Sequence, residues 1–116
     1  MFCIIAGSRT ATKEETYQAI QDCGFASEIT KVVSGCAGGA DTWGEQWAAE
    51  HGIEVAKFPA PWKKYGKAAG PMRNKLMSDV SEALIAVRVN GSRGTSDMIG
   101  KAQVKGLRVF VLEIER

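Results

Sequence analysis

Three short stretches carry the residue types that could hold an anion: Gly7-Ser8-Arg9, Ser34-Gly35-Cys36-Ala37-Gly38-Gly39-Ala40-Asp41 and Gly91-Ser92-Arg93-Gly94-Thr95. Each follows an apolar run and precedes a helical pattern. Glycine has no side chain to fend off a ligand, and a helix start presents backbone N–H groups and the positive end of its dipole, so this is phosphate-binding chemistry. Ser8 and Arg9 are expected to contact phosphate, the alternative being a capping serine beside a solvated arginine. Asp41 falls in a first helical turn, where the dipole favours a carboxylate, and serves either as a cap or as a ligand contact. A fourth stretch, Gly70-Pro71-Met72-Arg73-Asn74, places Arg73 and Asn74 in the first turn of a helix opened by Pro71. An arginine there opposes the dipole, so anion binding explains it better than helix stability does.

Between Pro59 and Gly70 the chain shows no periodicity and reads as a long irregular loop, a feature that is usually functional in a small protein. It mixes Lys63, Lys64 and Lys67 with Trp62 and Tyr65, a pairing suited to phosphates and bases, although three lysines in a loop are commonly just solvated. Cys3, Cys23 and Cys36 show no metal-ligand spacing and leave one thiol over from any disulfide scheme, so reduced thiols are expected. Cys36 reads as a small packed thiol, since no base lies near it in sequence. His51, the only histidine, sits in a last helical turn, where a cation suits the dipole. No metal or cofactor is expected. Neither a Walker lysine-serine pair nor a full GxGxxG fingerprint is present, which disfavours an ordinary nucleoside triphosphatase or dinucleotide dehydrogenase.

At 116 residues the chain is expected to form one domain, 1–116, with a real core. A net charge of +2 gives no bulk argument for nucleic acid or an anionic membrane. No apolar stretch approaches the ~20 residues of a membrane span. Met1 leads straight into a strand with no basic leader, so a cytoplasmic location is expected.

The elements that must position these residues alternate strand and helix. Strands are expected at Phe2–Ala6, Lys31–Ser34, Ile53–Phe58 (nearer an edge), Ala83–Val89 and Leu107–Ile114. A capping box, Thr12 with Glu15, opens a first helix carrying Tyr17, Ile20 and Cys23 and closed by Gly24. The second runs from about Ala40 to His51, with Trp43 and Trp47 on one face, packed on the sheet or a partner subunit. The third runs from Pro71 to about Val80 with Met72, Leu76 and Met77 as its apolar face, and the fourth from about Thr95 to Lys105. The expected fold is α/β, a Rossmann-like three-layer sandwich with a five-stranded, mainly parallel sheet in the order 3-2-1-4-5. That order sets the turns at Gly7 and Gly91 on either side of the switch-point crevice.

In these four motifs, in this order, nearly the whole chain resembles the SLOG superfamily, which joins the DNA-processing Smf/DprA proteins to the LOG phosphoribohydrolases, and in particular its small YspA-like, cpYpsA-related branch. The resemblance implies a nucleotide or nucleotide-derived ligand at the carboxyl edge of the sheet. It implies a catalytic arginine at Arg73 and a phosphate-cradling motif at Gly91, Gly94 and Thr95. The LOG glutamate falls on Met98, while the nearest carboxylate, Asp97, lies one position earlier, a rotation of roughly 100 degrees on a helix. Similar sequences carry Gly and Arg at the positions of Cys36 and Gly38, so the ligand preference is expected to differ.

Three functions follow. A binding module would hold a nucleoside phosphate or ADP-ribose-like molecule as sensor, carrier or sequestering protein, gripping it with the glycine turns, Ser8, Arg9, Arg73, Arg93 and Thr95. A nucleotide N-glycosidase would use Arg73 for orientation and Asp97 as acid/base. Single-stranded nucleic acid would engage Lys63, Lys64, Tyr65, Lys67, Arg73 and Lys75. Homo-oligomers are expected if Trp43, Trp47 or Met77 forms an apolar patch.

Overall fold

The computed structural model describes residues 1–116. Its five strands are β1 (Phe2–Gly7), β2 (Lys31–Ser34), β3 (Glu54–Lys57), β4 (Ala83–Val89) and β5 (Arg108–Ile114). They form one sheet in the order β3-β2-β1-β4-β5, and every pairing is parallel. The expected order is therefore found, with a sheet wholly rather than mainly parallel. Parallel strands need crossovers, and the helices that supply them cover both faces.

Alternation along the central strands feeds two cores. Cys3 and Ile5 of β1, with Ile85 and Val87 of β4, face one side, under α1 (Lys13–Asp22) and α2 (Ala40–Glu50), which contribute Ile20, Trp47 and Ala48. Ile4 and Ala6 of β1, with Leu84 and Ala86 of β4, face the other, against Met77, Met98, Ile99 and Ala102. Those last residues belong to α4 (Ala69–Val80) and α5 (Arg93–Val104). The Thr12–Glu15 capping box forms in both directions, and Gly24 ends the first helical segment at φ +83°. Trp47 is buried, and Trp43 donates its indole N–H to the Ala11 carbonyl at 3.2 Å.

The stretch after β3 departs from expectation. Residues 62–65 form a helical turn, α3 (Trp62–Tyr65), followed by a 3₁₀ turn at Gly66–Ala68 that runs into α4 at Ala69. Pro71 is thus the third residue of α4 rather than its first, a position whose N–H has no partner within a helix in any case. Arg73 and Asn74 then lie in the second turn, and the dipole argument for Arg73 lapses. Of the expected apolar face only Met77 points inward; Met72 and Leu76 are exposed, together with Val80. Since Trp47 and Met77 are both buried, neither contributes to a surface patch.

Candidate functional site

The carboxyl ends of β1 and β4 open into a cavity of about 850 Å³. It lies at the topological switch point, where open parallel sheets leave a crevice. Gly7, Ser8, Arg9, Ala37, Asp41, Arg73, Asn74, Ser92, Arg93, Gly94, Thr95 and Asp97 line it, so three of the four motifs meet the fourth in one place. Trp62, Lys67 and Gly70 close the remaining side.

On one wall the three hydroxyls form a chain. The Val89 N–H donates to Ser8 Oγ at 2.9 Å, and the oxygens of Ser8 and Ser92 lie 2.6 Å apart. Ser92 Oγ donates to Thr95 Oγ1 at 2.8 Å, so Ser8 must be the donor in its bond with Ser92. The Thr95 proton is then left for an acceptor in the cavity, because its one protein alternative, Ser8 Oγ, is 3.5 Å away. Ser92 is also the residue preceding α5, yet its side chain caps no backbone N–H. That helix start offers the cavity donors with no side-chain acceptor, and a positive dipole end.

Arg9, Lys67 and Arg93 are exposed along the cavity, and their side chains enter no hydrogen bond or ion pair within the chain. Arg73 differs. Its Nη1 donates to the Gly35 carbonyl and, at 3.4 Å, to that of Phe58, while Nε donates to Asn74 Oδ1 at 3.0 Å. The arginine therefore ties α4 to the ends of β2 and β3. Fixed by that Nε–H, the Asn74 amide presents its Nδ2 to Asp97 Oδ2 at 2.9 Å. Lys101 holds the other oxygen of Asp97 at 2.6 Å. Met98, where the LOG resemblance would put a glutamate, is 1 % exposed; it belongs to the core and also lines the cavity.

The central glycine turn is filled by the protein itself. A Cβ at Gly35 would lie 2.8 Å from the Arg73 guanidinium carbon and 2.9 Å from Asp41 Oδ2. One at Gly39 would overlap the Ser8 and Arg9 carbonyls. Ser34 is buried, donating to Glu45 Oε2 at 2.6 Å and accepting the Cys36 N–H at 3.1 Å. Ser34, Gly35, Cys36, Gly38, Gly39 and Gly91 do not line the cavity. Sequence could not separate a glycine that admits a ligand from one that admits a neighbouring carbonyl or guanidinium. Cys36 is exposed rather than packed, at φ +61°, and partial burial with the nearby Glu45 carboxylate holds its thiol above the ordinary range. His51 sits at the end of α2, its Nδ1 2.8 Å from the Trp47 carbonyl and its ring stacked on Trp47, away from the cavity.

Asp41 is both an acceptor for the Ala37 N–H, at 3.0 Å, and a wall of the cavity. Burial raises its carboxyl to about 6, against the opposing pull of the Ala37 N–H and the Arg73 guanidinium. Trp62 was legible only as one ring among several charges. Its partner in the structure is Gly70, which has no turn conformation to explain it.

No protein-family model and no curated protein matches this chain. Among solved structures, the X-ray structure of DNA processing protein A (DprA) from Streptococcus pneumoniae superposes with a TM-score of 0.69 at 18% sequence identity. The match covers 95% of this chain and 49% of that one, so the chain spans about half the length of DprA. It has an α/β Rossmann-like fold similar to that of DprA along nearly its whole length.

Proposed function

We propose that the cavity binds a nucleotide or nucleotide-derived ligand, phosphate first, and that the chain is a binding module of the YspA-like SLOG branch. The observation that carries this reading is the convergence of the Arg9, Lys67 and Arg93 side chains, none with a protein partner, on a cavity lined also by the Thr95 hydroxyl, whose proton has no protein acceptor, and by the uncapped start of α5. Cations kept unpaired beside such donors match the charge and geometry of a phosphate. An N-glycosidase would need a carboxylate free to handle water or a proton. Asp97 instead has one oxygen on Asn74 and the other on Lys101, which favours binding over turnover.

A second reading, single-stranded nucleic acid, draws on exposed Lys63 and Lys64 beside Trp62 and Tyr65, with Lys64 5.1 Å from the Tyr65 ring centre. The similar fold of a protein named for DNA processing agrees with it. Thermal unfolding with nucleoside mono- and diphosphates, ADP-ribose and a short oligonucleotide, with chromatography of the small molecules afterwards, separates the three. A raised melting temperature with the nucleotide recovered intact supports the module. Release of free base supports the glycosidase, and a response to the oligonucleotide alone, lost steeply with salt, supports the strand.

A further inference from the structure

Trp62 is 48% exposed although it lines the cavity, which leaves a large flat apolar surface in water beside three cations. Gly70 is the second residue of α4 and precedes Pro71, whose ring crowds a Cβ on a helical residue before it. The bare backbone there also seats the Trp62 ring: a Cβ at position 70 would stand 3.0 Å from Cη2 and 3.6 Å from Cζ3 of the indole. α3 itself buries none of its residues, so the core does not require the tryptophan.

We infer that Trp62 is a stacking platform for a purine or pyrimidine base, seated against Gly70, and that the cavity selects base-bearing nucleotides over sugar phosphates. The inference rests on the phosphate reading above and adds the part of the ligand that the cations leave undefined. Lys67, Arg9 and Arg93, which line the same cavity, take the phosphate, and the indole takes the base. Stacking on an aromatic side chain tolerates any base, because every base offers a π-face.

The test is calorimetric titration of the full chain with the four nucleoside monophosphates and with ribose 5-phosphate, for the parent and for Trp62→Ala, Trp62→Phe and Gly70→Ala. Trp62 is exposed, so its variants are expected to fold, and far-ultraviolet circular dichroism checks this. The expected result is that the tightest nucleoside monophosphate binds roughly 5- to 100-fold better than ribose 5-phosphate. Trp62→Ala removes that advantage, Trp62→Phe keeps most of it, Gly70→Ala reduces it by displacing the ring, and ribose 5-phosphate is indifferent to all three. Equal affinity for nucleotides and ribose 5-phosphate, or nucleotide binding unchanged by Trp62→Ala, overturns the platform while leaving the phosphate site intact. Absence of binding by every phosphorylated compound overturns the phosphate reading, and the platform with it.

Discussion

Asn74 donates its amide to Asp97 across the gap between α4 and α5, at 2.9 Å, and accepts from Arg73 at its other end. Arg73 and Asp97, the two residues that a hydrolase would use, are thereby joined through one buried amide into a strut along the cavity wall. Asn74 is 6% exposed, so Asn74→Ala leaves a part-buried guanidinium N–H and a carboxylate oxygen short of a partner. A loss of about 1–3 kcal/mol in urea unfolding is expected. Stability unchanged within experimental error would mean that the strut carries no strain of the fold.

Met98 offers a sharper test of the binding reading. Met98→Glu supplies the glutamate that the LOG resemblance implies but places a carboxylate at a site that is 1 % exposed, among Ile4, Ala86 and Ile99. Destabilisation of at least about 3 kcal/mol is expected, with no glycosidase activity gained. Release of free base by a folded Met98→Glu protein would count against this.

Two neighbouring glycines should behave oppositely. Gly39 has φ +66° and lies against the Ser8 and Arg9 carbonyls, so Gly39→Ala is expected to cost well over ~2 kcal/mol. Gly38 has open space around its Cβ position and no positive φ, so Gly38→Ala should be neutral or stabilising by up to ~1 kcal/mol. Comparing their melting temperatures decides whether the turn is built for packing or left open.

These glycines also mark what the sequence could tell. Strand positions and the four long helices were legible because apolar runs, the Thr12–Glu15 box and Gly24 are local signals whose meaning does not depend on distant neighbours. The start of α4 was not, since Ala69 and Gly70 carry no capping side chain and Pro71 is tolerated anywhere in a first turn. The exposure of Met72 and Leu76 was equally hidden. The buried face of α4 is built from Ala69, Gly70, Asn74, Met77 and Ser78, mostly small or polar residues that hydrophobic spacing passes over. Among site residues, Ser8, Arg9, Arg93, Gly94 and Thr95 could be found from composition, whereas the strut from Arg73 to Asp97 exists only once two helices pack.

Asp41 gives a pH dependence with a definite sign. Its carboxyl lies at about 6 in the folded chain, mainly because it is buried, against an ordinary value of 3.8. The folded state thus holds this proton more tightly than the unfolded state. The stability it contributes is full below pH 3.8 and is lost as pH rises towards and through about 6. Asp41→Asn keeps an acceptor for the Ala37 N–H but cannot ionise. Between pH 4 and pH 8 the variant should gain on the parent by about 2 kcal/mol, with most of the change complete by about pH 7. A difference between the two proteins that does not vary with pH would show that Asp41 is not buried as described.

The most direct measurement is an amide proton–nitrogen NMR titration of the full chain with a nucleoside monophosphate, followed residue by residue. A ligand held by its phosphate must perturb the amides at the start of α5, Arg93, Gly94 and Thr95, together with Ser8 and Arg9, and the Arg93→Ala variant should weaken binding roughly 5- to 30-fold with little change in stability. Perturbations confined to Lys63, Lys64 and Tyr65, or none at all up to millimolar ligand, would contradict a phosphate site at the switch point.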